Sequence, residues 1–178
     1  MNTRITISVI FSFFISLSMY AQGDSNINPN GYNIFYGEDS LKVSEGTMRN
    51  GKPDGYWKNY YSTGIIKSEG NRKEFELDSL WKFYDEDGKI MLEINYQNGK
   101  KNGYRITYQE LDIIKENFVE DIKEGNTLVY FPNGKIKLKT PFVNGLEDGI
   151  SREYDGDGNI VQLITYKKGY ITDRTRIN

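Results

Sequence analysis

One residue pattern recurs in phase five times along this chain, and it restricts the fold before any single residue is considered. Tyrosine stands at Tyr60, Tyr84, Tyr108, Tyr130 and Tyr154, in steps of 24, 24, 22 and 24. Six residues after each comes isoleucine: Ile66, Ile90, Ile114, Ile136 and Ile160. Glycine recurs between them at Gly64, Gly88, Gly134 and Gly158, with Asp112 in the third copy. Some twelve residues past the tyrosine comes a second aromatic, at Tyr96, Phe118, Phe142 and Tyr166, with Arg72 in the first copy. Self-similarity at this period marks an array of supersecondary units, each too small to bury an apolar face alone.

The turn chemistry identifies the unit as a β-hairpin. In Tyr130-Phe131-Pro132-Asn133-Gly134-Lys135-Ile136, proline presets φ, asparagine suits the next position and glycine takes φ > 0. A three-residue loop of this kind closes a hairpin and sets Tyr130 opposite Ile136. The other connection is Asn50-Gly51, Asn98-Gly99 or Asn144-Gly145, with a further glycine at Gly55, Gly103, Gly125 or Gly149. Simple alternation places Leu80, Lys82, Tyr84, Ile90, Leu92, Ile94 and Tyr96 on one apolar face. The opposite, more polar face takes a lysine row, Lys135, Lys137 and Lys139, together with Trp57, Trp81 and Phe83. The two residues missing from the 22-residue step are expected between Ile114 and Phe118. The fold class expected is all-β: an elongated single antiparallel sheet of consecutive hairpins over residues 33–178, its opening copy, 33–51, acting as a cap.

Ahead of the array the sequence reads as an address. Met1–Arg4 is basic, Ile5–Leu17 is apolar and Ser18–Gly23 offers small residues for cleavage, the pattern of a signal peptide. The apolar run is shorter than the ~20 residues a spanning helix needs, which favours cleavage after Ala21 over a retained anchor. Residues 1–21 are thus expected to be a signal helix and 22–32 a disordered spacer. The mature chain would be exported, periplasmic or extracellular.

Composition removes several functions. With 23 Lys+Arg against 25 Asp+Glu, the chain lacks the cationic excess needed to displace counterions from nucleic acid. It has no Cys and no His, so thiol nucleophiles and the commonest general base and metal ligand are missing. The acidic turns Asp85-Glu86-Asp87-Gly88 and Asp155-Gly156-Asp157-Gly158 resemble calcium loops but lack the distant bidentate Glu, and are read as turn formers. Neither cofactor nor metal nor catalysis is expected. What remains is burial: a sheet with one greasy face must curl, pair with a second copy or take a partner to remove that face from water. The candidate contact residues are Trp57, Tyr61, Trp81 and Phe83, read either as interface anchors or as packing against the opening copy. Beside them stand Lys135, Lys137 and Lys139, read as a solvated face or as a contact for anionic lipid or an acidic partner.

The pattern G-x-W-x-x-Y-x-x-x-G-x-I, here Gly55-Tyr56-Trp57-Lys58-Asn59-Tyr60 through Gly64-Ile65-Ile66, resembles the MORN repeat, and more narrowly the MORN variant of the bacterial YwqK-type antitoxin family. The resemblance covers about Asn33 to Gly169. It implies an elongated hairpin sheet serving as a non-catalytic scaffold for protein or phospholipid contacts. The narrower likeness implies a toxin as the protein partner. The Trp57/Trp81 position becomes Arg105, Thr127 and Ser151 in later copies, so a role resting on tryptophan is confined to the first two hairpins.

Overall fold

The computed structural model describes residues 27–177; the expected signal helix and residues 22–26 lie outside them. The described residues form one antiparallel sheet and no helix. Its strands are β1 (Tyr32–Tyr36), β2 (Lys42–Arg49), β3 (Lys52–Tyr60), β4 (Ile66–Lys73), β5 (Glu76–Tyr84), β6 (Ile90–Gln97), β7 (Lys100–Tyr108), β8 (Ile113–Val119), β9 (Ile122–Lys123), β10 (Gly125–Tyr130), β11 (Ile136–Val143), β12 (Leu146–Glu147), β13 (Gly149–Tyr154), β14 (Ile160–Lys167) and β15 (Tyr170–Arg176). They lie side by side in chain order, except that β9 and β12 are short stubs pairing with β8 and β11.

Two kinds of turn alternate along the ribbon. At one edge sit the glycine-closed tips, where Gly88 N–H donates to Asp85 O (3.0 Å) and Asp85 N–H to Lys89 O (2.9 Å), with the same pair of bonds at Phe131/Gly134 and Asp155/Gly158. The acids serve the turn: Asp155 Oδ1 accepts from the backbone N–H of Asp157, Gly158 and Asn159, and these bonds, Asn159's first, hold its carboxyl below the usual range. At the other edge every turn has two residues with positive φ. Asn50-Gly51, Asn98-Gly99 and Asn144-Gly145 are joined there by Glu74-Phe75, Glu120-Asp121 and Lys168-Gly169, which composition did not disclose.

This second edge is stitched from repeat to repeat. The N–H of Gly51, Phe75, Gly99, Asp121, Gly145 and Gly169 donates to the carbonyl of Pro29, Pro53, Leu77, Lys101, Lys123 and Glu147 respectively, at 2.8–2.9 Å. Part of the expected spacer belongs to this stitching. Asn28–Gly31 stands 24 residues before Lys52–Gly55 and plays the same part, Pro29 accepting as Pro53 does, and is held by Asn33 Nδ2 donating to Asn28 O (2.8 Å) and Gly31 O (3.0 Å).

Tyr130 pairs with Ile136, Tyr60 with Ile66, Tyr84 with Ile90 and Tyr154 with Ile160, so the repeating pair shares a face as the turn chemistry requires. The remaining face assignment needs correction. Beside each of these tips one extra residue enters the returning strand: Tyr84 faces Ile90, but Phe83 faces Leu92. A bulge of this kind reverses the alternation beyond it. Leu92, Ile94 and Tyr96 therefore join Phe83 and Trp81, while Tyr84, Lys82 and Leu80 occupy the opposite face. The third hairpin has no bulge: Tyr108 pairs with Ile113 and Thr107 with Ile114. One residue is missing from its tip loop and one from the bulge, so the deletion falls at the tip, not between Ile114 and Phe118. Ile113 takes the spine position, and Ile114 turns to the other face.

Phe75 holds φ at +78° and Glu74 at +49°, a region that costs an L-residue about 1–2 kcal/mol. Replacing Glu74-Phe75 by Asn-Gly is expected to raise stability by about 1 kcal/mol, read as a higher urea midpoint at unchanged m-value.

Candidate functional site

Because directly paired residues of an antiparallel sheet share a face, the register defines rows running across all the strands. One such row is Asn33, Gly46, Trp57, Gly70, Trp81, Ile94, Arg105, Glu116, Thr127, Thr140, Ser151, Ile164 and Arg174. It holds most of the buried side chains among the described residues, with Trp81 only 1% exposed and Trp57 7%. We call this the indole face. A single layer achieves such burial by laying each indole flat across a glycine. A Cβ on Gly46 would lie 2.4 Å from the Trp57 ring, and one on Gly70 2.5 Å from Trp81. Each indole N–H donates to a carbonyl left free by a bulge, Trp57 to Thr47 O (2.9 Å) and Trp81 to Asn71 O (2.6 Å). Phe35 stacks on Trp57 at 5.8 Å and Phe83 lies 6.2 Å from Trp81.

Trp57, Tyr61, Trp81 and Phe83 thus sit in different surroundings: Trp57 packs on the opening copy through Gly46 and Phe35, and Trp81 packs on Gly70 of β4 and on Phe83. Phe35, from the opening copy, and Phe83 complete the cluster, while Tyr61 donates its hydroxyl to Tyr84 O at 2.7 Å.

In the later hairpins the same row changes chemistry. Arg105 pairs with Glu116 at 3.4 Å, and Lys123 also reaches Glu116. Thr140 and Ser151 share a buried hydroxyl–hydroxyl bond of 2.8 Å. With no indole to serve them, the equivalent carbonyls bond to backbone instead: Glu124 N–H to Asn117 O (2.9 Å) and Asp148 N–H to Pro141 O (3.1 Å). That closure interrupts the ladder and splits β9 from β10 and β12 from β13. Small side chains where indoles would lie leave a groove of about 360 Å³, bordered by Ile114, Val129 and Leu138 on one side and Ile164 and Tyr166 on the other. Thr127 Oγ1 is buried beside this trough without a hydrogen-bond partner among the described residues. Sequence reasoning missed the groove because it treated the loss of tryptophan as loss of a contact, not as the opening of space.

The opposite, tyrosine face carries a second system. Tyr84 OH donates to Glu69 (2.6 Å), Tyr108 OH to Glu93 (3.0 Å) and Tyr60 OH to Glu45, always fifteen residues back. The Tyr60 hydroxyl, helped by Lys42 and opposed by burial, draws the Glu45 carboxyl down to about 2. Burial and the neighbouring glutamate push the Tyr84 hydroxyl well above its ordinary value. The three lysines expected in one row part company at the bulge. Lys135 donates to Gly156 O (2.8 Å), Lys137 grips Asp112 (2.8 and 3.0 Å), and only Lys139 stays within the cross-strand row of the tyrosine face, between Leu128 and Arg152. No group of three or more His, Cys, Asp or Glu among the described residues could hold a metal ion.

A one-layer ribbon of stitched hairpins, with an uncovered surface on each side, belongs to the open β-hairpin repeat arrays. Four segments, residues 53–74, 77–98, 123–144 and 147–168, match the MORN repeat variant, and the chain is a MORN-repeat protein. The unmatched stretch between the second and third segments contains the hairpin that has lost its bulge. No curated protein matches the chain.

Gly70→Ala sets a methyl against Trp81 and is expected to cost about 1–3 kcal/mol. Gly156→Ala, which meets nothing within 4 Å, should stay within about 0.5 kcal/mol; urea titration separates them. Glu45 supplies a pH signature. Its carboxyl is depressed in the fold, so its contribution is complete above the ordinary value of 4.5 and is lost as pH falls through about 2. Glu45→Gln is expected to flatten the fall of the urea midpoint across that window.

Proposed function

We propose that this chain is an exported, non-catalytic scaffold whose indole-face groove seats a protein partner. The observation that carries the reading is the chemistry of this groove. In the indole row the first two hairpins place Trp57 and Trp81, with about 430 Å³ open beside Trp81 among Arg72, Leu77, Phe83 and Tyr96, whereas the later ones leave about 360 Å³ open over the small hydroxyl residues Thr140 and Ser151. A groove with aliphatic walls and a few hydroxyls at its floor suits an apolar side chain with a polar tip. MORN repeats fit such a scaffold for protein or membrane contact. Export rests on the basic start and apolar run of residues 1–17. A partner with toxin activity would make the array an antitoxin of the YwqK type.

The test fills the groove from within. Thr140→Gly with Ser151→Trp rebuilds the glycine–indole pair of the earlier hairpins and should leave the fold intact. A photo-reactive residue at Leu138 in the otherwise native chain is expected to give one discrete protein adduct in an envelope extract, and none when the groove is filled. An undiminished adduct in the filled variant would remove the groove from the binding site.

A further inference from the structure

The tyrosine face holds two sites built like its internal carboxylate sites but without the carboxylate. In the first three hairpins the residue fifteen before the spine tyrosine is Glu45, Glu69 or Glu93, and it receives the hydroxyl. At Tyr130 and Tyr154 the residue in that place is Lys115 and Lys139. The cross-strand row shows the same change of sign. It begins Glu45, Lys58, Glu69, Lys82, Glu93, alternating in charge, with Lys82 3.7 Å from Glu93. It continues Ile106, Lys115, Leu128, Lys139, Arg152, Leu163, cationic and aliphatic with no acid. The flanking row adds Tyr104 and Ile150, both exposed, and Lys115 Nζ stands 4.0 Å from the Tyr104 ring centre. The carboxylates that the register brings to the ends of this row are engaged: Glu93, opposite Ile106, by Tyr108 and Lys82, and Asp173, opposite Thr165, by the Thr175 hydroxyl.

We propose that this half of the tyrosine face docks an acidic amphipathic helix of a protein partner, whose carboxylates take the places beside Tyr130 and Tyr154 that glutamates fill in the earlier hairpins. The inference rests on the scaffold reading above but uses the other face of the sheet. Charge complementarity and spacing specify the occupant. Lys115 and Lys139 are two strands apart, about 10 Å at the strand spacing of ~4.8 Å, and Arg152 is one strand further. A helix rises 1.5 Å per residue, so seven residues also span about 10 Å. A helix lying across the strands with acids at i, i+7 and i+10 meets all three cations. Its aliphatic residue at i+3 or i+4 then lies over Leu128. Each Tyr–Lys pair offers a carboxylate one hydroxyl and one ammonium donor, the groups that Tyr60 and Lys42 supply to Glu45.

The probe is a fluorescent helical peptide with Glu at i, i+7 and i+10 and Leu at i+3 and i+4, titrated against the full chain by anisotropy. A twin with Gln in place of Glu serves as control. Lys115→Glu with Lys139→Glu restores the pairing already present in the first three hairpins, so the fold should survive, which circular dichroism checks. The double variant is expected to weaken peptide binding at least about tenfold, and the Gln twin to bind equally poorly. Undiminished affinity in the double variant, or equal binding of the Gln twin, overturns the proposal. Sedimentation with phosphatidylglycerol vesicles without peptide binding overturns it too, in favour of a membrane contact. Filling the indole-face groove leaves peptide affinity unchanged if the two surfaces are separate, so failure of the groove reading and failure of this one are told apart.

Discussion

A sheet one layer thick has no second layer to cover its apolar side, and the rest of this molecule answers to that shortage. The answer is an aromatic ring laid flat on a bare backbone. Trp57 covers Gly46, and Trp81 covers Gly70, in each case too closely for a Cβ. Each indole also bonds a carbonyl released by a bulge, so the bulge, the glycine and the tryptophan form one device. Leaving a buried carbonyl unpaired would cost about 1–3 kcal/mol, which explains why the later hairpins, lacking the indole, recruit the N–H of Glu124 and Asp148 to the same task. They keep the hydrogen bonding and give up the filling. The groove over Thr140 and Ser151 is the result.

Order along the ribbon comes from a different source. Each two-residue turn hands one N–H to the preceding repeat, so neighbouring hairpins are tied at their edge as well as through their strands. Such coupling is nearest-neighbour in kind, as in other quasi-one-dimensional arrays. It leaves each hairpin free to vary the chemistry it displays. The tyrosine face exploits that freedom, passing from hydrogen-bonded Tyr–Glu pairs to Tyr–Lys positions between aliphatic residues.

The hairpin architecture, both turn types and the pairing of Tyr130 with Ile136 were legible in the sequence, because they depend on contacts within about ten residues and on the special backbone preferences of glycine and asparagine. The faces were not. One extra residue beside a tip leaves no mark on the 24-residue period, since it is present in almost every copy, yet it moves Leu92, Ile94 and Tyr96 to the other side of the sheet. The one copy without it, Tyr108–Ile113, did leave a mark as the 22-residue step, and reading that step at the tip would have disclosed the bulge. Likewise Glu74-Phe75 forms the same turn as Asn98-Gly99 without its usual residues. There the stitching to Pro53 O imposes a conformation that local preference opposes. The cationic row was invisible for a related reason: Lys115, Lys139 and Arg152 become neighbours only through the register.

The two outermost described strands carry a final consequence. Both β1 and β15 are the rising member of a hairpin, with Asn33 and Arg174 in the indole row. Translating one molecule onto the end of another would therefore bring together strands of the same polarity, and an antiparallel ladder cannot continue across that join. A two-fold relation would restore the polarity, but at β15 its fully overlapped register sets Asp173 against its own copy, and the next sets Arg174 against Arg174. Joining two copies at these strands thus requires either a parallel pair or like charges face to face at β15.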